Sequence, residues 1–175
     1  MDDNETRGAV DVDANEEVAE PDFDNLIGIV TDGLIGAVGG LVGTAVMTAI
    51  LLVAAGLGAF QFASFADLAN LTGLNALLPG NPIAVGYVIF LLGGMVTWPL
   101  LFASIGSYLP GEEFAIKGLP YGFVLWTGFA PAFYEGFSGA ALVVYLVLTF
   151  LGHLAYGFSL GSVFDYLSTR PTTLV

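Results

Sequence analysis

Apolar stretches too long for the core of a soluble protein are the strongest constraint on this chain. From Gly33 to Phe60 there is no charged residue. A helix of that length crosses a hydrocarbon layer about 30 Å thick with some tilt. Hydrophobic residues make up 56% of the chain and the mean hydropathy is +0.83, more than a globular core requires. The sequence therefore predicts an integral membrane protein.

Four apolar stretches predict an all-α fold, a polytopic four-helix bundle within a membrane domain of residues 25–170. We expect Phe23 to Asp32 to form a short interfacial lead-in. Between the first two spans, Ser64 and Asp67 form a capping-box pattern that predicts a short interfacial helix. The third span is the weakest, because it is short and contains two prolines. The predicted spans lie at about 33–60, 83–109, 118–136 and 140–167.

The formal charge of −13 belongs to one end of the chain. Ten of the 16 acidic residues lie in residues 1–24, a segment too polar and self-repelling to fold, so we predict a disordered acidic tail. That tail is either a solvated arm or a docking segment for a basic partner. So few basic residues argue against nucleic acid as a partner. The excess of acidic over basic residues is also seen in proteins of salt-adapted organisms.

The three basic residues predict the topology. Four spans place Arg7, Lys117 and Arg170 on one side of the membrane. Because Lys and Arg are enriched in cytoplasmic segments, we expect both termini to be cytoplasmic in a multi-pass protein of the cell membrane.

The second and fourth spans resemble each other. Tyr145 to Leu167 aligns without gaps on Tyr87 to Leu109, with Gly152 falling on Gly94. The first and third spans show a fainter match. This pattern predicts two tandem two-helix repeats related by an axis along the membrane normal, which would pair His153 with Met95.

Small residues at intervals of four predict the helix-packing faces. In lipid, helices associate where small side chains let backbones approach and where hydroxyls bond across the interface. On the fourth span His153 belongs to such a row, which starts at Thr149 and ends at Asp165. We therefore expect His153 to face another helix. The predicted packing residues are Gly36, Gly40, Thr44 and Thr48 on the first span, and Gly157 and Gly161 on the fourth.

His153 is the only histidine and lies at the middle of an apolar helix. The structural interpretation is a hydrogen bond to a threonine or a free carbonyl across the bundle. The functional interpretations are an axial haem ligand, a proton relay or a metal ligand. A six-coordinate haem needs a second ligand, for which Met95 and Met47 are the soft side chains at similar depth. The sequence thus leaves a His153 and Met95 cofactor site as a hypothesis.

Prolines mark a second candidate site. Pro131 removes the donor to the carbonyl of Thr127, and Pro99 does the same for Met95. Interrupted helices are tolerated inside protein or beside a cavity, and binding sites of transporters form there. Trp98 lies too deep for the interfacial belt, so its indole N–H requires a buried partner. The possible ligand pathway therefore comprises Thr127, Pro131, Trp126 and Trp98.

Motifs for catalysis are missing from the sequence. There is no cysteine, no G-x-S-x-G, no Walker-type phosphate loop and no His/Glu metal spacing. We therefore expect the protein not to be an enzyme and to need no cofactor, with haem as the one exception kept open.

Four strings carry a resemblance to a known group of proteins. They are GTAVMT at Gly43–Thr48, VTWPLLFA at Val96–Ala103, KGLPYGFVLW at Lys117–Trp126 and HLAYGFSLGSVFDYL at His153–Leu167.

Over Gly33 to Leu167 the chain resembles an uncharacterised family of four-helix membrane proteins common in halophilic archaea. Some members resemble proteins labelled as subunits or neighbours of haem–copper terminal oxidases. The resemblance implies that His153 is a family feature. Relatives often carry a second histidine where this chain has Ile89, a departure that weakens a bis-histidine cofactor site.

Three functions follow as hypotheses. The first is a non-enzymatic accessory or structural subunit of a larger membrane complex, in contact with lipid, other membrane subunits or further copies of itself. The second is a small homo-oligomeric transporter or channel. The third is a haem- or quinone-binding membrane subunit.

Overall fold

The computed structural model of the protein describes residues 23–78 and 80–168. Most of the predicted acidic tail, with Arg7, lies outside these residues, and so does Arg170. Every regular element in the described part is helical, which confirms the predicted all-α class. The α-helices are α1 (Phe23–Gly56), α2 (Phe65–Leu71), α3 (Leu74–Leu77), α4 (Pro82–Leu92), α5 (Trp98–Ile105), α6 (Phe114–Ala132) and α7 (Gly139–Ser168).

Two of the helical stretches are composite. A π-helical segment, Gly93–Thr97, joins α4 to α5, and a 3₁₀ turn, Gly106–Tyr108, follows α5. Together they form one continuous stretch, Pro82–Tyr108, which we call the second span. Asn81 begins it, because its side chain accepts a hydrogen bond from the backbone N–H of Ile83 at 3.0 Å.

Three stretches among the described residues are long and apolar enough to cross a membrane: Val30–Gly56, the second span and Gly139–Leu167. The predicted third span, 118–136, is not among them. Its helix, α6, begins four residues earlier than predicted, at Phe114, and ends at Ala132. It is only 19 residues long and carries Lys117 near its start. The structure thus supports three membrane-capable helices.

The first helix differs from its predicted bounds at both ends. The expected interfacial lead-in is continuous with the span, so α1 begins at Phe23. At the other end the helix stops at Gly56 and not at Phe60. The N–H of Ala59 bonds to the carbonyl of Ala54 at 2.8 Å, and Gly58 has a φ of +71°. This is a glycine-terminated C-cap, whose left-handed residue ends the helix.

The predicted short helix exists as α2, but its start differs from the expected capping box. The hydroxyl of Ser64 donates to the carbonyl of Gln61 at 2.7 Å and caps no helical N–H. Phe65, the first residue of α2, is fully buried and packs on Tyr87 and Phe90 of α4. Packing against α4 therefore holds α2 in place.

The arrangement of the long helices is asymmetric. α7 packs along α1 on one side and along α6 on the other, while the second span packs on α1. Two equivalent repeats would require the second span to pack along α6 as closely as α1 packs along α7. The described residues show no such extensive contact, so the predicted four-helix bundle of two repeats is not confirmed.

The second span approaches α6 mainly at two groups of aromatic side chains. In the first half of α6, the ring of Tyr121 packs at a tilt of 52° against that of Phe102, with ring centres 5.1 Å apart. Near the end of α6, the ring centre of Phe129 lies 6.4 Å from that of Phe90. We call these the Phe102 cluster, formed by Phe102, Phe114, Tyr121 and Phe164, and the Phe65 cluster, formed by Phe60, Phe65, Phe90, Phe129 and Phe133.

Candidate functional site

The second span changes register where it faces α1. The N–H of Trp98 bonds to the carbonyl of Gly93, five residues earlier, as in a π-helix. In that register the donor for the Gly94 carbonyl would be Pro99, which has no N–H. The hydroxyl of Tyr156 on α7 supplies the missing bond at 2.7 Å. The sequence predicted that Pro99 leaves the carbonyl of Met95 without its helical donor. In the structure the carbonyl that bonds to another helix is that of Gly94, because the π-helical turn moves the hydrogen-bond pairing by one residue.

Small residues of α1 let this π-helical segment come close. A side chain on Gly40 would overlap the carbonyl of Gly94, and a side chain on Gly36 would lie 3.1 Å from Pro99. Thr44 is buried against Gly94, and its hydroxyl has no hydrogen-bond partner among the described residues. One turn further on, the hydroxyl of Thr48 lies 3.1 Å from that of Tyr87. The predicted row on α1 thus lies against the second span.

Glycines also bring α6 and α7 into backbone contact. A side chain on Gly157 would overlap the carbonyl of Gly118, and one on Gly161 would overlap that of Phe114. At the end of this row Asp165 accepts the backbone N–H groups of Phe114 and Ala115 at 2.9 and 2.8 Å. A carboxylate from α7 therefore caps the first turn of α6 and complements its helix dipole.

Between the two aromatic clusters the second span and α6 enclose a cavity of about 780 Å³. Buried residues of α1 and α7 form its floor, including Met47, His153 and Tyr156. Its exposed lining residues all belong to the second span or α6, so the mouth opens sideways between these two segments. The lining residues exposed at this mouth are Leu92, Thr97, Trp98, Leu101, Val124, Gly128 and Ala132.

The cavity exists because small residues stand where the helices would otherwise meet. Gly93 and Gly94 face it from the second span, and Gly128 faces it from α6. A Cβ placed on Gly128 would meet nothing within 4 Å. Rings of the Phe65 cluster line one part of the cavity together with Leu68 of α2 and Leu74 of α3, while the Phe102 cluster packs the second span on α6 outside the lining.

His153 is the distinctive polar group of the cavity wall. Its side chain is only 7% exposed, and the ring of Phe129 lies 4.7 Å from the imidazole. Nδ1 lies 2.8 Å from the backbone carbonyl oxygen of Thr149 on the same helix. The other ring nitrogen, Nε2, has no hydrogen-bond partner within the described part of the chain. The predicted hydrogen bond across the bundle is therefore not seen, because the one hydrogen bond of the His153 ring among the described residues stays within α7.

The structure separates residues that the cofactor hypothesis paired. Met95 does not line the cavity, since its backbone lies against Gly40 of α1, 2.9 Å from where a Cβ on Gly40 would stand. Met47 and His153 both line it. The expected opposition of His153 and Met95 depended on a repeat symmetry that is not confirmed.

The predicted ligand pathway is also divided. Trp98 lines the mouth, where it is 40% exposed. Trp126 lies outside the wall and donates its indole N–H to the hydroxyl of Thr149 at 3.1 Å. Thr127 is exposed and bonds to the carbonyl of Val124 at 2.6 Å, and Pro131 is exposed on the same outer side of α6. Only one of the four predicted pathway residues therefore contacts the cavity.

Sequence reasoning missed most of the cavity wall. Gly128, Phe129 and Phe133 gave no signal, because glycine and phenylalanine are common throughout the chain. The pair Gly93 and Gly94, directly before Trp98 and Pro99, could have indicated an irregular turn. Within residues 23–78 and 80–168 no group of three or more metal-ligating side chains comes together.

Comparison with known proteins gives one match. Residues 30–175 match the sequence profile of DUF6789, described as a family of unknown function. No curated protein matches the chain, and no solved structure does. The expected membership of an uncharacterised family is confirmed, whereas the match carries no link to halophilic archaea or terminal oxidases.

Proposed function

We propose that this protein, which belongs to DUF6789, a family of unknown function, is a non-enzymatic integral membrane protein. It binds a lipophilic molecule between the second span and α6. The membrane in question is the cell membrane, and both termini are cytoplasmic on the premise that α6 crosses it as a fourth span. One observation carries this proposal, the laterally open cavity of about 780 Å³ with a predominantly apolar wall.

Size, position and lining all support a binding role. Small-molecule sites typically measure roughly 300–1,000 Å³ and combine an apolar wall with a few polar groups. Here the mouth opens toward the side of the helices, where acyl chains surround a membrane protein. A π-helical turn lies in the wall, and such turns are frequent at functional sites because they redirect backbone groups.

A fluorescence experiment tests the proposal. The chain has two tryptophans, so Trp126→Phe leaves Trp98 at the cavity mouth as the single reporter. We expect a brominated long-chain alkane, added to the purified protein in nanodiscs, to quench Trp98 saturably. Trp98→Phe leaves Trp126, which lies outside the cavity, and its quenching should rise only linearly with the amount of probe partitioned into lipid.

Matched variants on α6 separate cavity binding from lipid partitioning. Gly128→Leu places a side chain where a Cβ has free space, and it should abolish the saturable quenching. Thr127→Leu adds the same side chain at the neighbouring exposed position and should leave it unchanged. Equal quenching in both variants would show that no ligand enters the cavity and would overturn the proposal.

A second candidate function, an accessory subunit of a larger membrane complex, is favoured by the exposure of the mouth. Val124 is 59% exposed and Leu92 is 56% exposed at its rim, where a helix of another subunit could lie. Such a subunit, including one of a respiratory oxidase, should co-purify with its partner in mild detergent. Gly128→Leu should then release the partner while the isolated protein still folds. A protein that purifies alone at every ionic strength tested would exclude this function.

The transporter and haem hypotheses have less support. Transport through the predicted pathway requires Thr127 and Pro131 to contact a passage, and both lie on the outer side of α6. Proteoliposome flux that is lost in Thr127→Ala would restore this hypothesis. Haem ligation requires His153 Nε2, with Met47 in place of Met95 as the second ligand. A Soret band that is lost in His153→Ala would establish it, and a colourless protein would exclude it.

A further inference from the structure

We infer that the molecule bound in the cavity carries a hydroxyl group on a hydrocarbon body and donates that hydroxyl to Nε2 of His153. The inference rests on the proposed function, because it specifies the chemistry of the ligand in the same cavity. It concerns a class of molecules, namely long-chain or isoprenoid alcohols and phenols.

The direction of the hydrogen bond follows from the geometry of His153. The carbonyl of Thr149 can only accept, so Nδ1 must carry the proton in the 2.8 Å contact between them. A neutral imidazole has one N–H, which leaves Nε2 as an acceptor with a lone pair. A ligand that bonds to His153 must therefore bring a donor.

The surroundings of the ring favour this neutral form. The residues that line the cavity with His153 include no aspartate or glutamate: Thr44 and Met47 come from α1, Gly94 and Trp98 from the second span. The ring of Phe129 covers the imidazole from α6. An imidazolium here would be a buried charge without a partner, which is costly in apolar surroundings.

No hydroxyl group of the described residues donates a hydrogen bond to Nε2 of His153. The hydroxyl of Tyr156 donates to the carbonyl of Gly94, and that of Thr149 donates to the carbonyl of Tyr145. The hydroxyl of Thr44 is buried against Gly94 and has no hydrogen-bond partner among the described residues. Because Nε2 faces a mainly apolar cavity and has no donor among the described residues, an incoming hydroxyl gains a hydrogen bond that ketones, ethers and esters cannot make.

Two matched probes test the inference: geranylgeraniol, which has a hydroxyl donor, and geranylgeranyl methyl ether, which has the same chain without the donor. Each is titrated against the bromoalkane-quenched Trp98 reporter in nanodiscs, and recovery of fluorescence reports displacement. In the protein with native His153 we expect the alcohol to bind about tenfold more tightly than the ether, the effect of one hydrogen bond in an apolar site.

Substitution of the histidine gives the second arm. His153→Phe keeps a ring of similar width and removes the acceptor. It should weaken alcohol binding about tenfold and leave ether binding unchanged, so that the two probes become equal. The comparison of the two probes with native His153 needs no variant at this position, so poor folding of His153→Phe would not prevent the test.

The outcomes separate the two proposals. Equal displacement by alcohol and ether with native His153 would overturn the hydroxyl assignment while the cavity remained a lipophilic site. If the bromoalkane did not quench Trp98 saturably and neither probe restored the fluorescence, the proposed function would be overturned as well. Preference for the alcohol that persists in His153→Phe would place the donor contact on another group and would also overturn the inference.

Discussion

α6 has two very different neighbours. Against α7 its backbone is in direct contact, because Gly118 faces Gly157 and Gly122 faces the carbonyl of His153. Against the second span it is held apart by the aromatic rings of the Phe102 and Phe65 clusters, with a cavity of about 780 Å³ between them. Glycine lines both regions, yet one is sealed and the other open.

The difference shows that glycine closes an interface only when something lies opposite it. Gly157 of α7 faces Gly118 of α6, so two backbones meet and dispersion and polar contacts hold them. Gly128 of α6 has no atom opposite within reach of a Cβ. Rings at both ends fix the distance from the second span, and the missing side chain becomes empty volume. The packing of the neighbouring helices therefore decides whether a glycine closes an interface or leaves a cavity.

We expect the largest loss of stability from a substitution in the interface between α6 and α7, where the two backbones are in contact. Gly157→Leu forces a side chain into the carbonyl of Gly118, and the backbone of α6 cannot move aside without losing its other contacts. We expect destabilisation by more than about 3 kcal/mol, or no folded protein. Unfolding in mixed micelles, monitored by circular dichroism, measures it. Gly128→Leu, on the open side of α6, is the control, and similar losses in both would refute the comparison.

The second-largest loss of stability is expected from removing the Asp165 carboxylate of α7, which caps the first turn of α6. Asp165→Ala leaves the N–H groups of Phe114 and Ala115 without their carboxylate partner. We expect a loss of about 2 kcal/mol in the free energy of unfolding, the scale of an N-cap that makes charge-assisted bonds. Asp165→Asn should lose less, because it keeps one acceptor. The exposed Glu112→Ala is the control, and equal stability of the Asp165 and Glu112 variants would rule out the cap.

We expect a smaller loss of stability from removing the hydrogen bond that Tyr156 makes to the π-helical turn of the second span. Tyr156→Phe removes the donor to the Gly94 carbonyl, which Pro99 cannot replace. A buried carbonyl without a partner should cost about 1–2 kcal/mol, seen as a lower melting temperature in detergent. Tyr108→Phe, at a position that is 87% exposed, should change nothing. If the two variants melted alike, the register shift would not depend on Tyr156.

The open side should give the smallest change in stability. Gly128→Leu adds a good helix former into free space, so we expect the free energy of unfolding to stay within about 0.5 kcal/mol or to rise slightly. The same variant should lose saturable quenching of Trp98. Stability and binding would thus move independently on this side of α6, which a thermal melt and the quenching assay test together.

Periodicity revealed much of the packing in advance. The row from Thr149 to Asp165 is visible as a spacing of four, and the structure places it against α6, with Asp165 as a cap. Such rows can be read because close backbone contact in a helix pair requires small residues on one face. The partner of each row could not be read, because a stripe of small residues does not specify what it meets.

The internal match between the second and fourth spans led to the pairing of His153 with Met95. Five identities in this alignment describe similar helices, but they do not fix how the helices pack. The π-turn before Pro99 changes the face that the second span presents, and Met95 lies against Gly40. His153 faces a cavity where the predicted symmetry would have placed a methionine.

The sequence alone determined the helical class, three of the four predicted spans, the small-residue rows and the place of His153 in an apolar helix, because hydropathy and spacing of residues are local properties. Only the tertiary structure decided which helices touch, that Gly94 receives the hydroxyl of Tyr156, and that a cavity lies between the second span and α6. These features depend on distances between residues far apart in the chain. Those distances are set by aromatic rings and backbone contacts that no local pattern encodes.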